Sequence, residues 1–195
     1  MPALDLERER RKLDRLITYF HFGRARRKIR KCLRLSRARD LAFYAEYFAA
    51  QEKILDGKLR HALLYLEEAR RLRPDDGCTW NDIALCCAEM GHYRQALNRF
   101  DEGLRRDPNC ATLYHNKGWL LHTRGKYRGA ALCFHKALEL EEDREETLFS
   151  LGDTYVRLGN PRRAEKFFHA ARRRLKGKSA AMYRETLRRL RALTE

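Results

Sequence analysis

Small and apolar residues return along this chain at a fixed step of 34 residues. Glycines stand at Gly23, Gly57, Gly91, Gly125 and Gly159. Five residues after the last four of these come Ala62, Ala96, Ala130 and Ala164, and four further on come Leu66, Phe100, Phe134 and Phe168. Three more residues bring Ala69, Gly103, Ala137 and Ala171, while Ala50, Ala84, Gly118 and Gly152 lie seven before the glycines. With 11 glycines in 195 residues, four further coincidences at one offset have a chance probability of about one in 10⁵.

Between the glycines, hydrophobic positions fall three and four apart, the spacing of a helix with one apolar face. Each unit therefore predicts two helices joined at the periodic glycine, which takes a left-handed backbone after the first helix at no steric cost. The recurring small residues let two helix backbones approach, and the ring four places after the alanine fills the space beside it. Pro74 and Pro108 close second helices, and Asn160-Pro161 reads as an N-cap followed by a first-turn proline. No segment alternates in the manner of a strand.

These residues resemble the tetratricopeptide repeat family, whose pattern runs W-x₂-L-G-x₂-Y, then A-x₃-F, then P. Trp80, Ile83, Ala84, Cys87, Ala96, Phe100 and Pro108 follow it in one unit, and Leu148, Leu151, Gly152, Tyr155, Ala164 and Phe168 in another. The register sets repeats at 43–76, 77–110, 111–144 and 145–178, after a basic helical region at 1–42 that is either a degenerate repeat (from residue 9) or a cap. There Lys28 and Cys32 replace the alanine and the aromatic; in 111–144, Glu142 stands at the closing proline and Lys117 at a usually apolar site. Residues 179–195, with Ala181, Met182, Leu187, Leu190 and Leu193, read as a capping helix. The resemblance implies an all-α fold, a right-handed α-solenoid of stacked helix hairpins with a C-terminal capping helix. It also implies a non-catalytic scaffold that binds a peptide or partner protein in a concave groove lined by the first helix of each hairpin.

Transferred by register, the groove positions are Tyr44, Tyr47, Gln51 and Ile54; Asn81, Leu85 and Ala88; His115, Trp119 and His122; Phe149, Asp153 and Val156. Aromatic faces and amides suit an extended or helical segment, and Trp119 is the expected anchor. Two readings stand for Tyr44 and Phe149: a groove surface, or a ring packed between hairpins. The clamp by which some family members hold a chaperone's C-terminal carboxylate is not assembled, because Glu146 and Ser150 occupy sites that need basic residues. His115 and His122 share one helical face, but a third and fourth metal ligand are missing. No phosphate-loop, zinc-protease or serine-hydrolase motif occurs, so neither catalysis nor a cofactor is expected.

The six cysteines, Cys32, Cys78, Cys86, Cys87, Cys110 and Cys133, form no C-x-x-C pair. Reduced thiols in a cytoplasmic protein are the expectation. Residues 4–14 are too charged for a secretory leader, and no run approaches the roughly 18 apolar residues of a membrane span. No oligomeric state is legible.

Charge adds a second theme. The net charge is +16, carried as +9 on residues 1–42, −2 on 43–161 and +9 on 162–195. Arg24, Arg26, Arg27, Lys28, Arg30, Lys31, Arg34, Arg37 and Arg39 form a run without one acidic residue. A second cluster holds Arg162, Arg163, Lys166, Arg172, Arg173, Arg174, Lys176 and Lys178. Arginine outnumbers lysine 32 to 11, which favours forked contacts to phosphate or carboxylate. A solvated face, RNA or DNA, an acidic protein and an anionic membrane surface all remain open. The alternative to a pure protein scaffold is a nucleic-acid-associated adaptor that uses these basic ends.

Overall fold

The computed structural model describes residues 5–18, 21–141, 144–175 and 180–193. These form eleven helices and no strand: α1 Leu6–Thr18, α2 Phe22–Ala38, α3 Ala42–Leu55, α4 Leu59–Leu72, α5 Gly77–Glu89, α6 Tyr93–Arg106, α7 Ala111–Thr123, α8 Tyr127–Leu140, α9 Glu145–Arg157, α10 Pro161–Leu175 and α11 Ala180–Arg191. The second helices of successive repeats begin at Leu59, Tyr93, Tyr127 and Pro161, in step with the period. Glu142, Lys176, Lys178 and Ser179 lie outside the described residues.

Local chemistry sets the helix ends. Gly57, Gly91, Gly125 and Gly159 have φ of +70°, +82°, +73° and +68°. In each case the next residue's N–H folds back to a helix carbonyl, as from Lys126 to Leu121 and from Asn160 to Tyr155, both at 2.9 Å. Gly23 departs from expectation: it lies inside the first turn of α2 rather than in a turn before it. Asp40 takes the left-handed role after α2, with φ 51°, and Leu41 N–H bonds Ser36 O at 2.9 Å. Asn160 caps α10 as expected, its Oδ1 accepting from Arg163 N–H at 3.1 Å.

Two compact units divide the chain, Met1–Arg99 and Phe100–Glu195, with the boundary inside α6. In the first, Leu6 and Leu13 of α1 join Ala25, Ile29 and Cys32 of α2 and Phe48 of α3 in one buried cluster. The degenerate segment is thus a packed hairpin, with Cys32 buried where the later repeats bury Leu66, Phe100, Phe134 and Phe168. A second cluster joins Ala50, Ala62, Leu66, Ile83 and Cys86.

In the second unit, Ala130, Phe134, Leu151, Tyr155, Ala164 and Phe168 share a core that Leu190 of α11 closes. Here the small residues are required by distance. A Cβ on Gly152 would stand 2.7 Å from Cδ1 of Phe168, and one on Gly118 2.9 Å from Cε1 of Phe134. Both rings are fully buried, and each contributes about 1.5–3 kcal/mol of burial. In these two repeats the periodic glycine and phenylalanine are therefore a contact of ring against backbone.

Candidate functional site

The expected groove residues of the first unit lie on α3 and α5, and none of the seven is open surface: Ala88 is buried, and Tyr44 and Ile54 are half-buried. Tyr47 is 1% exposed, Gln51 4% and Asn81 6%, while Leu85 is half-buried. Tyr47 stacks on Phe43 with centroids 6.2 Å apart, and the Arg10 guanidinium of α1 sits 4.0 Å from the Tyr47 ring centre. Arg10 then forks onto Asp76, Nη1 to Oδ1 at 2.9 Å and Nη2 to Oδ2 at 2.8 Å. Gln51 donates from Nε2 to Asp82, which also accepts from Asn81 Nδ2 at 3.2 Å. The amides expected to meet a peptide backbone are spent on the protein itself.

Asp76 holds this arrangement from a helix end. It caps α5 by accepting from Thr79 N–H at 2.8 Å. Burial works to raise its carboxyl, but the bonds and charge of Arg10, with Thr79, outweigh it and hold the group below its usual range. Nearer the rim, Tyr44 donates to Glu7 at 2.8 Å, and Arg73 bonds Glu7 at 3.1 Å while lying 4.2 Å from the Phe43 ring centre. Arg10, Arg73 and Asp76 drew no notice in the sequence. Partners 66 positions apart leave no local signal, although Asp76 followed by Thr79 is a legible cap.

The second unit carries the other expected residues on α7 and α9. His115 Nδ1 meets Thr147 Oγ1 at 2.8 Å and His122 Nδ1 meets Thr154 Oγ1 at 2.9 Å, two rungs with the same spacing. His122 Nε2 is 3.2 Å from Asp153 Oδ2, and Arg189 of α11 reaches Asp153 Oδ1 at 2.8 Å. Burial, helped by Arg144, pushes the His115 imidazole down to about 3. Burial also lowers His122, against the pull of Asp153. Phe149 is half-buried, its ring 5.5 Å from that of Phe168. Trp119 lies one turn from each histidine and is 47% exposed.

Among the described residues, no group of three metal-ligating side chains gathers, and no helix is long and apolar enough to cross a membrane. The basic candidates separate by partner. Arg26 is spent on Asp56 and on Leu55 O. Arg24, Arg27, Arg30, Lys31 and Arg34 are exposed along α2; on α10, Arg173 and Arg174 are exposed and Arg172 is half-buried.

The sequence model of the tetratricopeptide repeat matches residues 5–184. The chain belongs to the tetratricopeptide repeat family. Its fold is the family's all-α solenoid of helix hairpins. Human tetratricopeptide repeat protein 7A is 27% identical over 95 residues, which is 49% of this chain and 11% of that protein. The chain thus spans about a tenth of the length of this curated relative. Among solved tetratricopeptide repeat structures, a thermophilic protein of Thermus thermophilus superposes with TM-score 0.74 at 19% identity, covering 92% of this chain and 98% of that one. The Yersinia enterocolitica type III secretion chaperone SycD, solved with a peptide of the translocator YopD, has TM-score 0.57 at 15% identity, covering 59% of this chain and 89% of that one.

Proposed function

We propose that this tetratricopeptide repeat protein is a non-catalytic interaction scaffold that takes a peptide segment of a partner on the α7/α9 face of its second unit. The observation that carries the reading is Trp119, a large aromatic left 47% exposed between two histidines already tied to α9. A rigid ring on a fixed helix is an inexpensive anchor, because its neighbours are ordered before a ligand arrives. The YopD peptide solved with SycD is a partner segment held by a chaperone of similar fold. Asp153 is shared by His122 and Arg189, so stacking and backbone bonds recognise the peptide rather than a free carboxylate.

Intrinsic fluorescence tests this. The chain has two tryptophans, and Trp80 is buried with its indole N–H bonded to Pro74 O at 2.7 Å. In a Trp80→Phe background, peptides selected from a random displayed library should shift Trp119 emission to the blue. Binding should be lost in Trp119→Ala. Peptides that bind Trp119→Ala with unchanged Kd would remove this face from consideration.

A further inference from the structure

We propose that the outward face of α2 docks the phosphodiester backbone of double-stranded nucleic acid without regard to base sequence. This goes beyond the peptide reading and rests on another element in the other unit, so either can fail alone.

The fold sorts the basic residues of α2 into two kinds. Lys28 pairs with Glu9 and Arg26 with Asp56. Arg24, Arg27, Arg30, Lys31 and Arg34 are exposed and have no ion pair among the described residues. At 3.6 residues per turn these five fall within an arc of about 120° and a rise of about 15 Å. Arg37 extends the row and faces Glu46 of α3.

Folding does not call for this row. The packing face of α2 is Ala25, Ile29, Cys32, Leu33 and Ser36, and the helix has no acidic residue in its first turn and no side-chain cap. Cations three and four apart repel one another, and those near the N-terminus also oppose the helix dipole. A polyanion laid along the row relieves both.

The composition of the arc selects among polyanions. Besides the cations it contains only Gly23 and Ala38. Without an aromatic ring there is no platform for unpaired bases. Without an asparagine or glutamine there is no amide to read a base edge. A membrane-bound helix buries an apolar face in the interface, and an acidic protein partner needs an apolar interface core; the apolar side of α2 is already inside the protein. The phosphates of a duplex ask only for positive charge in a row, and the four arginines supply it in forked form.

The test is anisotropy of a labelled DNA duplex of about 20 base pairs with the full chain, from about 50 to 200 mM salt. Five phosphate contacts give a log–log slope near −4.5, an affinity loss of about 500-fold over that range. Arg27→Gln/Arg30→Gln/Arg34→Gln should flatten the slope by about 2.7, and Arg34→Gln alone by about 0.9 should the triple variant not fold. Arg26→Gln should leave the slope unchanged, as should a second duplex of unrelated sequence. The proposal falls if the duplex is not retained at the lowest salt, or if the slope survives the triple variant. It also falls if polyglutamate displaces the duplex at equal charge. Phosphatidylserine–phosphatidylcholine vesicles binding as tightly, and losing it in the same variant, would overturn it too.

Discussion

Gln51 of α3 and Trp119 of α7 hold the same position in their repeats, yet one is 4% exposed and the other 47%. Tyr47 and His115 form a second such pair, and they differ in what meets them. Tyr47 lies beneath the Arg10 guanidinium, which runs on to Asp76. His115 is tied sideways to Thr147 and is itself half-buried, and it is Trp119, one turn on, that stands open. A repeat position therefore fixes a side chain's direction, while exposure depends on whether a neighbouring helix offers a group long enough to cover it. In the first unit the α1 arginine covers Tyr47 and Asp82 of α5 takes the amide of Gln51, so a face that register assigns to a ligand becomes interior.

The largest expected effect breaks the sealed side of this comparison. Arg10 and Asp76 side chains are 3% and 16% exposed, so Arg10→Ala strands a buried carboxylate and should cost about 3–5 kcal/mol in denaturant unfolding. A neutral result would show that aromatic packing, not the ion pair, closes this face. Next comes the second unit's core. Gly152→Ala drives a methyl into Phe168 and should cost about 1–3 kcal/mol, which locates that unit's stability beneath the open face; unchanged melting would contradict it.

Acid should separate the two sides. The folded His115 resists protonation down to about 3, whereas an unfolded histidine takes its proton near 6.5. Below about 6.5 the unfolded chain therefore binds a proton that the folded chain refuses, and stability falls by up to about 2 kcal/mol by pH 5. Asp76 is shifted the other way: its contribution is complete above the ordinary carboxylate pKa and is lost only as pH falls through its lowered folded value. Hydrogen exchange at pH 5 should show α7 and α9 loosening while α1 and α3 stay protected. The reverse order would mean that the histidine rungs do not hold the open side.

The smallest stability effect belongs to Trp119→Ala, expected within about 0.5 kcal/mol of wild type by thermal unfolding, although it should abolish peptide binding. A cost like that of Arg10→Ala would make Trp119 part of the core and erase the contrast between the faces.

Fold class and register follow from the sequence alone, for a local reason. A glycine with positive φ, an alanine under a ring and a cap such as Asn160 act within one or two helical turns, so each leaves a mark at fixed spacing. Even Gly152 against Phe168, 16 residues apart, recurs in the preceding repeat as Gly118 against Phe134 and becomes visible as a period. Exceptions arise where the period is empty of its usual chemistry. Gly23 matches the spacing, yet it lies in the first turn of α2, and the left-handed residue nearby is Asp40, after that helix. Which groove positions stay open was decided only in three dimensions. Arg10 meets Asp76 across 66 residues, and Arg189 meets Asp153 from the capping helix. Neither contact recurs, so no pattern announces it. The same holds for the basic run, where sequence counts nine cations between Arg24 and Arg39 but only tertiary contact shows that Glu9 and Asp56 neutralise two of them. Periodic backbone and core packing can be written into a sequence as a rule, while long side chains choose partners by reach and charge after the helices are in place.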